Sequence, residues 1–509
     1  MRIVTSHEMR RLEETAMSAG CPVEQLMDRA AQGIATVVLT LLRPAQYGRV
    51  LVVAGPGNNG GDALLAGQFL ASAGCEVDMW TWSRTRPAPP FVTLPIRPLN
   101  EAGLLSFCDS ADRATLVLDG LLGIGRNRPV DGLLRQILQA VRGVSGRCTV
   151  VAVDVPTGID ADTGQADVEC VRADLTVTLG LAKAGLFMQP AAEYVGRVVV
   201  APLGLPIHAL DTVQGVKIDT EYVAARLPQR LPDSNKGTYG KVLVAAGSEK
   251  YLGAPILAAL AACRAGAGLV TLAVARNVYD LLAGHLPEVT FEPLPGEGGG
   301  IGPASVAPLL DAAMRYTVCV LGPGLGQSSY TRDAVLEVCS TLRGRASAPR
   351  LVVDADGLNA LAGVDHWWEH VPEHSIITPH PGEMGRLTGT SAGDVQEDRV
   401  RIARDAAAKW KLVVVLKGAS TIVAAPDGRY AINPVAVPAL ATAGTGDVLA
   451  GTIGALLAQG LTPFDAACCG VFVHAAAGLL IEEESGTSGL LATELADHLP
   501  RALMQVRSR

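Results

Sequence analysis

The sequence contains few aromatic and few charged residues for its length. Aromatic residues make up 4% and charged residues 18% of the 509 residues, whereas 49% are hydrophobic. A disordered chain has few hydrophobic residues and many charges, so global disorder is excluded. With few aromatic side chains available, the cores must consist mainly of Ala, Val and Leu. At roughly 150 residues per domain, this length predicts about three domains or two large ones.

Positive charge is also scarce. The formal net charge is −8, and proteins that bind nucleic acid are usually basic, so we expect no nucleic-acid partner. Lysine is rare enough that a lysine inside a motif is more informative than usual. The lysines are Lys183, Lys217, Lys236, Lys241, Lys250, Lys409, Lys411 and Lys417.

The sequence lacks paired cysteines and a long apolar run. The 10 cysteines are scattered without a C-x-x-C pair, a usage typical of reduced thiols in the cytosol. The charged segment Met1 to Glu14 has no apolar signal core. The longest uncharged apolar stretch, Ala466 to Ile481, is too short to span a bilayer. We therefore expect a cytoplasmic protein with no membrane partner. Separately, we expect a homo-oligomer.

Short apolar runs alternate with helical patterns in both halves of the chain. Arg49 to Ala54 is one such predicted strand, and Lys241 to Ala246 opens a second series. Strands alternating with helices predict parallel βαβ units with ligands at the carboxyl ends of the strands. A proline-rich segment over 202–235 separates the two series. We therefore predict an α/β protein of two domains, a Rossmann-like three-layer α/β/α domain over 1–215 and a second α/β/α domain over 225–505.

The segment GPGNNGGD (Gly55 to Asp62) lies between a predicted strand and a helix predicted over Ala63 to Ala73. Glycines let a backbone approach a ligand closely, and a helix N-terminus offers free N–H groups to an anion. The spacing is neither G-x-G-x-x-G nor that of a Walker loop. The segment therefore indicates a phosphate or pyrophosphate site, or else a tight turn with Asn58 and Asn59 in left-handed conformations.

Two further strand ends in the first half carry acidic residues, Asp119 and Asp154. Asn59, Asp119 and Thr157 offer oxygen ligands to a hard cation, and one carboxylate among neutral oxygens suits a monovalent ion better than a divalent one. The alternative is that the two aspartates only cap loops or helices. Lys183 follows another strand and either faces this site or is a solvated loop residue.

These first-half motifs, with DGLLGIG and DVPTGID, resemble the YjeF N-terminal domain, the NAD(P)H-hydrate epimerase, over about residues 1–215. The resemblance implies that Asp154 is catalytic and lies beside the nicotinamide ring. It implies a potassium ion held by Asn59, Asp119 and Thr157. One departure is Ala63, where the family usually has glycine. The residues implied to bind the hydrated nucleotide, besides Asp154, are Asn58, Asn59, Gly60, Gly61, Asp62, Gly123, Ile124, Gly125, Arg126, Asn127, Arg128 and Pro129.

The segment ATAGTGDVLAG (Ala441 to Gly451) places a glycine-rich turn before a helical region predicted to run from Asp447 to Ile481. The N–H groups of such a turn can stabilise a phosphoryl group in transfer, while a carboxylate accepts a hydroxyl proton. Asp447 is therefore a candidate base. The alternative is an aspartate favoured at a helix start by the helix dipole.

Other predicted strand ends in the second half also carry polar or glycine-rich loops. In LKGAST, Lys417 and the following amides can contact nucleotide phosphates. GPGLG, ending at Gly326, again allows a close approach. In TPHPGEM, Glu383 can hold a water-bound magnesium ion, and His380 is either a ligand contact or a loop residue.

Together with NKGTYGKVLVAAGS, GAPILAA and DADGLNAL, these motifs resemble the ribokinase-like NAD(P)H-hydrate dehydratase over about residues 227–502. The resemblance implies a ribokinase-like fold for the second domain, with Asp447 as the base. It implies that the hydrated dinucleotide contacts Ala254, Gly326, His380 and Asp447. The residues implied to bind the adenine nucleotide are Lys417, Gly418, Ala419, Ser420, Thr421 and Gly446.

The two resemblances imply one bifunctional enzyme. The first domain would interconvert the R and S hydrates of NADH and NADPH with potassium. The second would dehydrate the S hydrate with ADP and magnesium, giving NAD(P)H, AMP and phosphate. The choice of ADP over ATP rests on bacterial members of the family alone. Two alternatives stay open: a small-metabolite kinase with an N-terminal nucleotide-binding module, and a scaffold built on an inert first domain.

Overall fold

Alternating strands and helices build two α/β units, as the sequence predicts. The structure is a computed structural model that describes residues 1–42, 48–125, 129–345 and 347–508. One unit runs from Arg2 to Gly215, and the other runs from Val216 onward.

The main sheet of the first unit has seven parallel strands in the order β4-β3-β2-β5-β6-β7-β9, and β1 pairs with β8. The strands are β1 (Arg2–Val4), β2 (Arg49–Ala54), β3 (Glu76–Thr81), β4 (Ile96–Pro98), β5 (Leu116–Gly120), β6 (Thr149–Val153), β7 (Leu175–Leu179), β8 (Ala182–Lys183) and β9 (Arg197–Ala201).

Helices cover both faces of this sheet. Alternate residues of β2 point to opposite faces, so Val50 and Val52 belong to one hydrophobic core and Leu51 and Val53 to the other. Strands buried on both faces are continuously apolar, which explains the predicted runs. The helices are α1 (Ser6–Ser18), α2 (Val23–Leu41), α3 (Asn58–Ser72), α4 (Leu104–Arg113), α5 (Gly132–Val144) and α6 (Ile207–Leu210).

Helix α3 begins five residues before the predicted start at Ala63. Its first turn is Asn58 to Asp62, and neither asparagine has a positive φ, so the left-handed turn is wrong. The helix starts early because Gly60 lies against the backbone of Gly55, where a Cβ atom would be 2.2 Å from the Gly55 carbonyl oxygen. The unusual Ala63 is fully buried, and Gly120 makes room for its methyl group.

The sheet of the second unit continues from seven parallel strands into an antiparallel hairpin, in the order β13-β12-β11-β16-β17-β18-β19-β20-β21. The strands from residue 215 onward are β10 (Gly215–Lys217), β11 (Lys241–Ala245), β12 (Leu269–Ala275), β13 (Thr290–Leu294), β14 (Gly296–Glu297), β15 (Gly300–Ile301), β16 (Val318–Leu321), β17 (Arg350–Val353), β18 (Ile376–Ile377), β19 (Val413–Leu416), β20 (Thr421–Ala424) and β21 (Tyr430–Asn433).

The long helical region predicted near the C-terminus is two helices, because Gly460 adopts a φ of +99° and Pro463 starts a new helix. The second of these, α17, is long and apolar enough to cross a membrane, but 78% of its most apolar window is buried inside the unit, as in a core helix. The helices are α7 (Thr220–Ala224), α8 (Gly253–Arg264), α9 (Arg276–Leu282), α10 (Pro303–Ala313), α11 (Ser329–Arg343), α12 (Asp356–Ala362), α13 (Pro381–Thr388), α14 (Ala392–Glu397), α15 (Arg399–Trp410), α16 (Thr445–Ala458), α17 (Pro463–Ser485) and α18 (Ala492–Arg507).

The strand order reverses direction once in each sheet. In the first unit the chain runs from β2 to β3 toward one edge of the sheet, and β5 then pairs with the other side of β2. In the second unit β12 and β16 likewise pair with opposite sides of β11. Crevices form at the carboxyl ends of strands at such switch points. The glycine-rich segments after β2 and β16 therefore lie where an α/β sheet commonly binds ligands.

Candidate functional site

The carboxylate of Asp119, in β5, is held in a fixed orientation. Its Oδ1 atom accepts hydrogen bonds from the Thr157 hydroxyl at 2.7 Å and the Leu121 amide at 3.2 Å, and its Oδ2 atom accepts from the Thr157 amide at 2.9 Å. Burial raises the pKa of Asp119, and the bonds from Thr157 and Leu121 act against that rise. The result is a buried acidic oxygen pair beside a hydroxyl.

The side chain of Asn59 is connected to Asp119 and Thr157 by hydrogen bonds through the Leu122 backbone. The Asn59 amide nitrogen donates to the Leu122 carbonyl at 2.9 Å, and the Leu122 amide donates to the Thr157 hydroxyl at 3.0 Å. The Asn59 Oδ1 atom is buried and has no hydrogen-bond partner among the described residues. A buried oxygen left without a donor calls for a ligand. Within the described residues, no group of three or more His, Cys, Asp or Glu side chains could hold a metal ion.

Asp154 and Lys183 form a buried ion pair. The Lys183 ammonium donates to Oδ1 of Asp154, to the Leu179 carbonyl at 2.8 Å and to the Thr178 hydroxyl at 3.4 Å. Its side chain is 1% exposed, so Lys183 is not the solvated loop residue of the alternative interpretation. Asp154 adopts a φ of +66°, an uncommon left-handed conformation that functional sites often contain.

Further carboxylates surround this ion pair. Burial raises the pKa of Asp62 well above its usual value, and the charges of Asp154 and Glu13 raise it further. Burial likewise raises the pKa of Glu13, against the opposing charge of Lys183. Several carboxylates thus share one ammonium group, which favours protonated Asp62.

The structure adds two arginines that sequence reasoning missed. Arg84 donates to the carbonyls of Gly55 at 3.0 Å and Gly57 at 2.9 Å, and Arg86 donates to the side-chain oxygen of Asn58 at 2.7 Å. Both follow β3, which was absent from the predicted strands. Recognising Glu76 to Thr81 as a strand would have placed them at the same sheet edge as the glycine-rich segment.

The second predicted binding loop is described only in part. Gly123 lies against the Asn59 side chain, where a Cβ atom would be 3.2 Å from the asparagine Cβ and Cγ atoms. Gly123 and Ile124 line a cavity of about 160 Å³, together with residues of α1. Gly125 and Pro129 are described on either side of a gap. Three of the predicted contacts lie outside the described residues: Arg126, Asn127 and Arg128.

In the second unit, Asp447 lies in the first turn of α16, after Gly444 with a φ of +89°. The Thr445 hydroxyl fixes the turn by hydrogen bonds to the carbonyls of Thr442 at 2.9 Å and Leu440 at 3.0 Å. Gly451, two turns into the helix, packs directly on the Ala258 backbone in α8. The open end of α16 is therefore held rigidly against the sheet.

Lys417 lies between two buried carboxylates. Its ammonium is 2.7 Å from Oδ1 of Asp354 and 3.7 Å from Oε2 of Glu383, and it lies beneath Gly446. Burial alone would lower the pKa of Lys417, but these carboxylates outweigh it and raise the pKa. Asp354 was missed as a site residue, although it directly follows β17 and opens the DADGLNAL motif.

The ionisation of Asp447 reflects the same cluster. The pKa of Asp447 is raised to about 7, mainly by burial and also by the charge of Asp354, while the charge of Lys417 acts to lower it. A group with a pKa near the working pH is suited to accept and release a proton. Burial also raises the pKa of Glu383.

A cavity of about 560 Å³ opens in front of this cluster. It brings together most of the residues predicted to bind the nucleotide, and its remaining wall is largely apolar. The predicted residues that line it are His380, Lys417, Gly418, Ala419, Thr421 and Gly446. Ser420 lies below the surface: its hydroxyl is buried without a partner among the described residues, and its φ is +56°.

Arg399 supports the LKGAST loop from below and was missed by the sequence analysis. Its guanidinium donates to the carbonyls of Leu416 at 3.0 Å and Lys417 at 3.2 Å, and lies against Gly418. Burial lowers the pKa of Arg399 to about 10. No local sequence signal marks this residue, because it lies in an ordinary amphipathic helix.

The predicted dinucleotide contacts are divided between two places. Gly326 lines a separate cavity of about 530 Å³, and its amide donates to Asp356 at 2.9 Å. Ala254 lies at the start of α8, against Gly324. His380 instead borders the cavity of about 560 Å³ that Lys417 and Gly446 line, and its Nδ1 atom caps α13 by accepting from the Gly382 amide at 3.0 Å.

Comparisons with known proteins agree with this geometry. Residues 242–501 match the NAD(P)H-hydrate dehydratase family model, and residues 23–185 match the model of the YjeF-related protein N-terminus. The chain superposes with a TM-score of 0.51 on a ribokinase-like superfamily protein from Enterococcus faecalis. That protein is 23% identical, and the match covers 58% of this chain and 98% of that one.

The fold and the family matches thus define a protein of two α/β units, a YjeF-type unit followed by a unit of the NAD(P)H-hydrate dehydratase family with a ribokinase-like fold. Bifunctional NAD(P)H-hydrate repair enzymes match it along the full chain. The one from Thermofilum pendens is 37% identical over 100% of this chain and 97% of its own length. The one from Moorella thermoacetica is 38% identical over 99% and 97%. The chain belongs to the family of bifunctional NAD(P)H-hydrate repair enzymes.

Proposed function

We propose that this chain repairs hydrated NADH and NADPH in two steps. The first unit interconverts the R and S hydrates. The second unit dehydrates the S hydrate at the expense of ADP, so that hydrate and ADP give NAD(P)H, AMP and phosphate. The observation that carries the second step is Asp447, with its pKa near 7, at the open end of α16 beside the buried Lys417. The similarity of the full chain to bifunctional NAD(P)H-hydrate repair enzymes supports both steps.

In the first unit, Asp154 is the proposed catalytic group. Lys183 and the Leu179 amide engage its Oδ1 atom, while Oδ2 has no hydrogen-bond partner among the described residues. This leaves one carboxylate oxygen for the substrate. The first turn of α3 and the loop from Gly123 to Pro129 hold the hydrated nucleotide, and the N-terminus of α3 favours its phosphates.

A potassium ion fits the group formed by Asn59, Asp119 and Thr157. The buried Asn59 Oδ1 atom lacks a donor, and the Asp119 carboxylate supplies a single negative charge. Bound there, a monovalent cation would supply positive charge next to the anion-binding turn. The protein residues themselves hold the loops after β5 and β6 together through Thr157.

In the second unit, Asp447 takes the proton from the C6 hydroxyl of the S hydrate. The hydroxyl oxygen then attacks the terminal phosphorus of ADP, and the bond to the leaving phosphate oxygen of AMP breaks. Phosphate next leaves C6 while C5 loses a proton, and the C5–H electron pair forms the ring double bond. The amides of the glycine-rich turn stabilise the charge of the phosphoryl group in transfer. Lys417 adds a fixed positive charge near Gly446.

Magnesium is the second proposed ion. Hard carboxylate oxygens are available at Glu383, which is 5% exposed and held by the His380 amide at 2.8 Å. Magnesium usually binds one or two carboxylates together with substrate phosphates. It would therefore arrive with the nucleotide, held by Glu383 through water.

We also place the protein in the cytoplasm, supported by its ten free cysteines. The homo-oligomer stays a prediction.

The test uses the full chain with hydrated NADH containing both epimers, magnesium and potassium, and ADP or ATP in parallel. We expect the absorbance of reduced nicotinamide to return completely with ADP. A return that stops when the S epimer is spent would contradict the epimerase step alone. Accumulation of a stable phosphorylated product would instead support a small-metabolite kinase, and no reaction with either nucleotide would contradict the dehydratase step.

A further inference from the structure

His474 lies in the wall of the nucleotide cavity, on the buried helix α17. It is 8% exposed and borders the cavity beside Thr445 and Gly446. None of the motifs includes it, and the proposed reaction gives it no role. A polar side chain in the middle of an apolar core helix needs a partner, because an unpaired buried polar group is costly.

One ring nitrogen of His474 has such a partner. Its Nε2 atom lies 2.9 Å from the Thr445 carbonyl oxygen. A carbonyl oxygen only accepts hydrogen bonds, so Nε2 carries a proton and donates. Burial lowers the pKa of His474 to about 4, which keeps the ring neutral at physiological pH.

The other ring nitrogen is then an acceptor. In a neutral imidazole with a protonated Nε2 atom, Nδ1 carries a lone pair. Among the described residues the ring makes its hydrogen bond through Nε2, and Nδ1 makes none. Most of the neighbouring wall is apolar, but Asn433 also lines the cavity, and its buried Oδ1 atom has no hydrogen-bond partner among the described residues. The apolar residues of the wall are Val435, Ala436, Val437, Pro438, Leu440, Leu449, Val471 and Ala475.

The position of His474 along the cavity indicates which part of a nucleotide it meets. The ring is tied to Thr445, directly before Gly446 in the anion-binding turn. In a nucleotide the ribose is attached directly to the phosphate, and its hydroxyl groups are hydrogen-bond donors. The amino group of the base is at the far end of the molecule, beyond the apolar wall.

We propose that Nδ1 of His474 accepts a hydrogen bond from a ribose hydroxyl of the bound nucleotide, and that it thereby selects ribonucleotides over deoxyribonucleotides. This inference rests on the proposed use of the cavity for ADP. The Thr445 carbonyl fixes the tautomer of His474. When the nucleotide lacks that hydroxyl, the apolar side chains nearby supply no other donor to Nδ1.

The first test measures binding, so that it does not depend on turnover. The full chain is titrated calorimetrically with ADP, 2′-deoxy-ADP and 3′-deoxy-ADP in the presence of magnesium. A net hydrogen bond of about 0.5–1.5 kcal/mol predicts that one analogue binds about 2- to 10-fold more weakly than ADP. Equal Kd values for all three nucleotides, or no binding of ADP, would overturn the proposal.

Variants of His474 test whether the preference for ADP over deoxy-ADP depends on this residue. His474→Phe should reduce the ratio of deoxy-ADP to ADP Kd values to about one, whereas His474→Gln, which keeps a donor and an acceptor, should restore part of it. The exposed His285→Phe is the matched control and should keep the wild-type ratio. Because each ratio is taken within one protein, a general loss of affinity cancels. An unchanged ratio in His474→Phe would assign the selectivity to another residue.

These results stay separate from those on the reaction. If ADP binds with the expected preference but no reduced nicotinamide returns, the proposed function fails and the assignment of His474 stands. If dehydration proceeds with equal use of ADP and both deoxy analogues, the proposed function stands and the assignment of His474 fails.

Discussion

The ammonium of Lys417 and the carboxylate of Asp354 form an ion pair 2.7 Å long in the floor of the nucleotide cavity. Asp354 is 1% exposed in its side chain, so the pair is shielded from salt and water. It anchors the lysine beneath Gly446, and its two charges act on Asp447 in opposite directions. The pair therefore connects nucleotide binding with the ionisation of the proposed base.

The pH dependence of dehydration should report Asp447. Its pKa of about 7 applies to the carboxyl group, and only the ionised form accepts a proton. We expect kcat/KM to rise about tenfold per pH unit below pH 7 and to level off above it. The measurement is kcat/KM for the S hydrate between pH 5.5 and 9, with saturating nucleotide. A rate that is flat across pH 6 to 8 would contradict this assignment.

Asp354→Asn should shift that profile toward acid. The Asp354 charge raises the pKa of Asp447, so its removal lowers the pKa and the inflection moves to lower pH. The nucleotide KM should also change, because Lys417 loses its nearest carboxylate. The exposed Asp311→Asn is the control and should leave the inflection in place. A variant that loses rate at every pH without moving the inflection would show only structural damage.

Asp447→Asn should lower the rate of dehydration by about 10²- to 10⁴-fold, the usual contribution of a general base. Nucleotide affinity should change little, since the amide keeps the shape of the side chain. Epimerisation by the same preparation serves as the internal control. Near-wild-type turnover would remove Asp447 from the proposed mechanism.

Lys183→Met should destabilise the first unit by about 3–5 kcal/mol, because it leaves the buried Asp154 charge unpaired. The thermal unfolding transition of that unit is the measurement, and Arg11→Met, at an exposed cation of the same unit, is the control. Adding Asp154→Asn to Lys183→Met removes the unpaired charge and should recover much of the stability. Epimerisation should stay low in the double variant, because the proposed catalytic carboxylate is gone.

Potassium should stabilise the first unit and accelerate epimerisation. A ligand that binds only the folded state raises the midpoint of unfolding as its concentration rises. We expect a higher midpoint in potassium chloride than in choline chloride at equal ionic strength. Asn59→Ala, which removes the unpaired buried oxygen, should require about tenfold more potassium for half of the effect. Equal midpoints in both salts for the wild type would contradict a potassium site.

The order of local elements was determined by the sequence. A continuous apolar run marked β2 at its observed bounds, because parallel strands buried on both faces need no polar alternation. The glycine-rich segments could be placed at strand ends by their position alone. Their chemistry could be proposed from the sequence, since a glycine turn before a helix leaves backbone N–H groups free to meet an anion.

The start of α3 depended on packing, whereas Gly460 and Pro463 are local signals for the break between α16 and α17. Asn58 is helical because Gly60 and Gly55 can touch across the turn, and no local propensity reveals that contact. The hairpin of β20 and β21 was also missed, as were Arg84 and Arg399, which approach their loops from distant segments.

The sequence by itself determined the two α/β units, the glycine-rich turns and the presence of Asp447, Lys417 and Asp154 at strand or helix ends. Only the tertiary structure decided their charge states and partners. Lys183 reaches Asp154 across 29 residues of chain, and Lys417 reaches Asp354 across 63. Burial and Coulomb interactions depend on distances in space, which adjacent strands set and a linear sequence does not contain.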